Sequence, residues 1–223
     1  MAFEDYDQYE QGEQVRKWIR ENGIAVVVGV VLALALIFGW RQWQAHRLNH
    51  EVQAASQFAV IQTAVQADNK QAMGAALGDL QKNYADTAYA ALGSAAVAEY
   101  DVGKNELKPA AQNLQWAVSH GKQPALKSLF TLRLARVLIA QDQAQQALTE
   151  LGGIPAGNYA ALSAELRGDA LLKLGKPGEA RDAYQQAMAK LDKDQDAPAR
   201  HALQMKLDNL TQPVAAPTGA KAR

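Results

Sequence analysis

RGDALLKLGKPGEARDAYQQAMAKL, residues 167–191, carries the pattern that sets the architecture of this chain. Gly168 and Leu171 come first, Gly175 follows, and Ala180, Tyr184 and Ala187 then recur at helical spacing. Two antiparallel helices approach closely only where both carry small residues, and Gly168, Ala180 and Ala187 supply them. Leu171 and Tyr184 are of a size to fill the adjoining space. Gly175-Lys176-Pro177-Gly178 reads as the turn, because glycine ends one helix and proline opens the next. Ala180, Tyr184, Ala187, Met188 and Leu191 hold one stripe through the second helix.

This spacing is similar to the tetratricopeptide repeat, a helix–turn–helix unit of about 34 residues. Shifted upstream by 33 positions, Ala135, Leu138, Asp142, Ala147 and Leu151 take the equivalent places. They predict helices over 128–140 and 143–151, the second closed by Leu151-Gly152-Gly153-Ile154-Pro155. Ala96, Gly103, Ala110, Leu114 and Ala117 form a looser third unit, with two extra residues after Gly103. A fourth pair, 44–67 and 69–83, keeps only stripes such as Ala76, Leu80 and Tyr84. Three or more units are needed to stack a stable solenoid, and three to four are expected here. A last helix over 198–210 would cap the stack. The Pro/Ala-rich tail 211–223 has little to bury and is expected to be disordered, as are the first 12 or so residues.

A second stretch, GIAVVVGVVLALALIFGW at residues 23–40, carries no charge. As a helix it would extend roughly 27 Å, close to the hydrocarbon thickness of a bilayer. Arg20 before it and Trp40, Arg41 and Trp43 after it are the residue types that are stable at headgroup depth. A buried core helix of this length normally keeps a polar face, and this one has none. A cleaved signal peptide has a short basic start, whereas 22 residues with six acids precede this run. The chain is therefore expected to be all-α: a tail (1–22), a transmembrane anchor (23–43), a tetratricopeptide-like α-solenoid (44–210) and the terminal tail (211–223). Arg16, Lys17 and Arg20 lie before the span; Arg41 and Arg47 lie after it, with no further Lys or Arg until Lys70. That bias favours a cytoplasmic N-terminus and a body across the membrane, in the periplasm of a bacterium. Ala25, Gly29 and Ala33 recur every four residues, a small-residue face on which another span could dock in the bilayer.

Beyond Trp43 the chain holds 19 Lys and Arg against 17 Asp and Glu, with no dense basic patch, which argues against nucleic acid as a partner. It has no cysteine, so no disulfide and no thiol chemistry. No nucleophile elbow, phosphate loop or dinucleotide fingerprint occurs, and no cofactor is expected. His46 and His50 have the spacing of paired metal ligands but lack a third beyond Glu51, so a polar helix face explains them and no metal centre is expected. An enzyme is the least supported class.

The first helix of each pair should line the concave surface. That places Leu129, Leu132, Arg133, Arg136, Ile139 and Ala140 there from one unit. Leu162, Glu165, Leu166, Asp169, Leu172 and Lys173 come from the next, and Gly93, Val97, Tyr100 and Asp101 from the loose one. Tyr100, Arg133, Arg136, Glu165, Asp169 and Lys173 are the candidate partner-binding residues. Arg133 and Arg136 would clamp a carboxylate or backbone carbonyls of a client peptide. The competing reading pairs them with Glu165 and Asp169 on the neighbouring helix.

The order of these features resembles the ancillary SecYEG translocon subunit family. The resemblance covers roughly residues 10–210. Glu21-Asn22-Gly23 and Gly39-Trp40-Arg41-Gln42-Trp43 carry it at the two ends of the span. Leu132-Arg133-Leu134-Ala135-Arg136-Val137, Arg167-Gly168-Asp169-Ala170-Leu171-Leu172 and Met205-Lys206-Leu207-Asp208-Asn209-Leu210 carry it in the body. It implies a bacterial inner-membrane protein with a periplasmic C-terminal domain. It also implies association with the SecYEG translocon and with a membrane-anchored periplasmic chaperone, and a role in passing exported client proteins onward. It offers no catalytic residue. A periplasmic tetratricopeptide scaffold for envelope assembly or cell division is the alternative.

Overall fold

The computed structural model describes residues 4–155, 157, 159–192 and 196–211. All regular structure among them is helical: α1 (Glu4–Gln66), α2 (Lys70–Asn83), α3 (Ala88–Gly103), α4 (Leu107–His120), α5 (Pro124–Ala140), α6 (Ala144–Gly152), α7 (Ala160–Lys173), α8 (Pro177–Ala189) and α9 (Ala197–Thr211). The chain divides into two compact units, Met1–Val52 and Gln53–Arg223.

In the first unit, residues 23–43 lie within the unbroken helix α1. Its apolar side chains are open, with Ile24 85% and Phe38 72% exposed. Core helices bury such residues, so a soluble-core reading of this run does not hold. Among the described residues α1 is the one helix long and apolar enough to cross a membrane. The expectation of disorder for the first 12 or so residues is corrected from Glu4 onward, where the helix has already begun. Between Glu4 and Gln11 there is neither proline nor glycine, and an existing helix extends through such residues at little cost. The tail beyond 211 lies outside the described residues.

Among the described residues of the second unit one turn geometry occurs four times. Asp68, Asn105, Asp142 and Gly175 all have φ between 53° and 72°, each between the first and second helix of a pair. At Asp68 the left-handed residue donates its N–H to Val65 O (3.3 Å), and the next N–H goes to Ala64 O (2.9 Å). Asn105 and Glu106 repeat this on Val102 and Asp101, Asp142 and Gln143 on Ile139 and Leu138, and Gly175 and Lys176 on Leu172 and Leu171. This double bond satisfies carbonyls left open at a helix C-terminus, and Asn and Asp tolerate the left-handed region better than other side chains.

The third unit is thereby corrected. Its turn residue is Asn105, whereas Gly103 is the last residue of α3. Counted from Asn105, the unit has no extra residues. Ala98, Asn105, Ala110, Leu114 and Ala117 keep the same spacing as Gly168, Gly175, Ala180, Tyr184 and Ala187. So do Ile61, Asp68, Met73, Leu77 and Leu80 in the first pair, and in all three sets every position but the turn residue is buried. The stack is thus four pairs (the end of α1 with α2, α3 with α4, α5 with α6, α7 with α8) followed by α9.

Burial is local, as a solenoid requires. Ile61 and Leu80 centre one apolar cluster, Phe130 and Leu134 a second, and Tyr184 and Leu203 a third that seats α9. Each fully buried side chain of this size contributes roughly 1.5–3 kcal/mol. Successive turns are also tied together. Lys104 pairs with Asp68 (2.9 Å) and Lys173 with Asp142 (2.9 Å), while the Gln141 amide donates to Leu107 O (2.5 Å).

Candidate functional site

A groove of about 280 Å³ opens between α3, α4 and α5. Ala95, Ala98, Leu114 and Val137 give it an apolar floor, and Glu99, Arg133 and Arg136 stand along it. Helix α5 positions both arginines one turn apart. Arg133 Nη1 donates to Glu99 Oε2 at 3.2 Å, with the two side chains 40% and 73% exposed. A pair this open is worth little and yields readily to a competing carboxylate. Arg136 is exposed and, among the described residues, makes no ion pair. The arrangement suits an extended chain that places an apolar side chain on the floor and an acceptor on the guanidinium groups.

The expected pairing of Arg133 and Arg136 with Glu165 and Asp169 is corrected. Those two acids are taken by Lys206 of α9, whose Nζ lies 2.8 Å from Glu165 Oε1 and 2.7 Å from Asp169 Oδ1. Tyr184 also donates its hydroxyl to Asp169 Oδ1 (2.8 Å). Burial, then the Asp169 hydrogen bond, push the Tyr184 phenol far above its ordinary range. Burial alone would lower the pKa of Lys206, but its bonds to Asp169 and Glu165 outweigh that and raise it. A lysine raised in the folded state adds stability that is complete below its ordinary 10.5 and is lost as pH rises through the folded value. Alkaline unfolding monitored at α9 is therefore expected to be steeper in the native chain than in Lys206→Met. Equal profiles would contradict the clamp.

Tyr100 is engaged as well. It donates to Asp68, and Lys104 Nζ lies 5.3 Å from its ring centre. The bond from Tyr100, reinforced by Lys104, holds the Asp68 carboxyl below its usual value, and the same bond raises Tyr100. Lys173, paired with Asp142, ties neighbouring turns. Five residues assigned to the concave surface are instead buried: Gly93, Val97, Asp101, Leu132 and Leu166. A Cβ on Gly93 would come within 2.9 Å of Leu80 Cδ1 and 3.0 Å of Ile61 Cδ1, so α3 packs closely there and a larger residue would displace the ends of those two side chains. Burial raises the Asp101 carboxyl, opposed by the hydrogen bond from Asn113 (3.1 Å). The structure thus brings Arg133 and Arg136 to one groove and leaves Tyr100, Glu165, Asp169 and Lys173 in contacts that hold the stack together. Glu99 and Lys206 were missed, although both lie about one repeat from their partners, 34 residues from Arg133 and 37 from Asp169.

In the first unit, Arg20, Trp40, Arg41 and Trp43 are exposed. The Trp40 and Trp43 rings lie 5.2 Å apart, with the Arg47 guanidinium 5.6 Å from the centre of Trp43. Ala25, Gly29 and Ala33 are exposed, and a Cβ built on Gly29 meets nothing within 4 Å. No group of three or more metal-ligating side chains occurs among the described residues.

A family model described as a tetratricopeptide repeat-like domain matches residues 16–212. The ancillary SecYEG translocon subunit of Escherichia coli K12 is 35% identical over 202 residues, covering 91% of this chain and 96% of its own. That of Haemophilus influenzae is 29% identical, over 88% and 94% of the two chains. That of Neisseria gonorrhoeae is 30% identical, over 81% and 86%. No solved structure matches the chain. The match runs through the span and all four helix pairs to the end of α9, and the chain belongs to the tetratricopeptide repeat-like family of ancillary SecYEG translocon subunits.

Proposed function

We propose that this chain is a single-pass inner-membrane accessory subunit of the SecYEG translocon. Its N-terminus lies in the cytoplasm and its helical body in the periplasm. The observation that carries this reading is the near end-to-end match to ancillary translocon subunits, span included. The domain limits proposed are a tail to residue 22, an anchor over 23–43, and a repeat body from 44 to 210. Arg20, Trp40, Arg41 and Trp43 hold the anchor at the two interfaces. Ala25, Gly29 and Ala33 offer a face narrow enough for a translocon helix to approach.

The body then works by contact rather than chemistry. Tethering beside the channel raises the local concentration of emerging chains, so weak capture suffices. The groove at Arg133 and Arg136 receives an extended segment of an exported protein and releases it to a membrane-anchored periplasmic chaperone. A scaffold for envelope assembly or division would share the fold but not the translocon as neighbour.

Orientation is the part of this reading that one experiment decides. A fluorescent protein that matures only in the cytoplasm, fused after Arg223, is expected to stay dark, while a periplasm-dependent phosphatase at the same position is active. Fluorescence with an inactive phosphatase would reverse the assignment.

A further inference from the structure

In a stack of helix pairs, the first helix of each pair is covered on one side by the pair before it. Gly93 and Val97 of α3 are covered in this way: both are buried, and Gly93 lies against Ile61 and Leu80 of the first pair. Phe130 and Leu134 of α5 hold the same places before the Asp142 turn, and they are buried in one cluster with Ala98 and Leu114 of the second pair. Ser56 and Val60 hold those places before the Asp68 turn. No helix pair precedes theirs among the described residues, and both are exposed, Val60 by 43%.

The two ends of the body differ in charge. Helix α9 closes one end and carries Arg200, His201, Lys206 and Asp208. That is the polar cover which the terminal units of a soluble stack need. The other end is QAASQFAVIQTAVQA, residues 53–67, without an Asp, Glu, Lys, Arg or His. Ser56, Ala59, Val60, Thr63 and Ala67 are exposed on one face of it, along which a shallow depression of about 400 Å³ reaches Ala72 of α2. The Thr63 hydroxyl already donates to Ala59 O (3.1 Å), so it does not depend on water.

We propose that a second copy of this chain docks on this face, with the two α1 segments side by side about a twofold axis. The inference rests on the single-pass reading above: two copies anchored in one membrane leave it in the same direction, so their α1 segments meet in parallel. In a symmetric parallel contact each residue faces its own counterpart, and any charge on the seam would meet its like. A face without charge along its whole length meets that condition, which a contact with a different protein would not impose. Ser56, Val60, Thr63 and Ala67 also recur with roughly the 3.5-residue period of such a seam, and their small side chains let the two helices come close. Docking of α9 from another copy would instead bury its charges against neutral side chains.

The chain has no cysteine, so single substitutions report contacts without background. The full-length protein is oxidised in native membranes with copper phenanthroline and resolved without reductant. Val60→Cys and Thr63→Cys are each expected to give at least about tenfold more disulfide-linked dimer than Gln62→Cys, which is exposed but off the stripe, because a disulfide needs Cα atoms within about 7 Å. Adding Thr63→Glu to Val60→Cys is expected to abolish the dimer, since two carboxylates then face each other, while adding Gln62→Glu leaves it. Coexpression with a chain carrying Val60→Cys and Thr63→Lys is expected to restore it. Residue 63 is exposed and both replacements are good helix formers, so these variants keep the fold. Carbonate extraction of the same membranes separates the two readings. A chain washed free would overturn the anchor and the dimer with it. An anchored chain with no excess of dimer at Val60 and Thr63 over Gln62, or with a dimer indifferent to Thr63→Glu, would overturn the dimer alone.

Discussion

Tyr184→Ala is expected to lower the stability of the helical body by about 3–5 kcal/mol, the range for removing a fully buried aromatic ring. The ring is 1% exposed and lies flat against Gly168, where an added Cβ would sit 2.3 Å from Cε1 and 2.5 Å from Cδ1. It also carries the hydroxyl that helps fix Asp169, and through Asp169 the Lys206 clamp on α9. Loss of the ring therefore leaves a cavity and loosens the cap of the stack. Gly168→Ala tests the same contact from the other side. Alanine is the better helix former by about 1 kcal/mol, yet the overlap is expected to make the variant less stable by about 1–3 kcal/mol. The two changes are expected to couple. With Tyr184 already alanine, the Cβ at 168 meets open space, so Gly168→Ala should become neutral or stabilising. Urea denaturation of the native chain, the two single variants and the double variant measures this. An equal loss from Gly168→Ala in both backgrounds would mean that the Gly168–Tyr184 contact does not govern the pairing of α7 with α8.

Leu32→Arg is expected to raise the free energy of membrane insertion by about 3–4 kcal/mol, since Leu is favourable and Arg unfavourable at the centre of a spanning helix. Leu32 sits near the middle of the 23–43 segment and is 59% exposed. Leu48→Arg is the control, because Leu48 is on the same helix and 66% exposed but lies beyond the span. Carbonate extraction of membranes reads the outcome. The first variant should shift to the soluble fraction and the second should stay with the membrane. Retention of both in equal amount would indicate that residues 23–43 do not form the anchor.

Sequence periodicity made the last repeat legible because Gly175 advertises its turn. Asp68, Asn105 and Asp142 do the same conformational work, but Asp and Asn also populate ordinary loops and helix starts. That is why Gly103 drew the third unit out of register, and why the first pair looked like bare stripes. The apolar span was equally plain, since eighteen uncharged residues have few other uses. Side-chain partners were harder. Arg133 meets Glu99 of the preceding pair instead of the acids of the following one, and Lys206 of α9 holds Glu165 and Asp169. A repeat register says which positions face each other across units; it does not say which of two neighbours wins a charge. Burial was misjudged at Gly93, Val97, Leu132 and Leu166, because small and apolar residues on a first helix serve the inter-pair core as readily as the open face.

Membership of the translocon shows in the company the intact protein keeps in the membrane. Affinity purification of the full-length chain from membranes dissolved in a mild detergent is expected to bring down SecY, SecE and SecG together, with the Leu32→Arg variant losing them. A natively folded, membrane-inserted chain that purifies free of all three would contradict it.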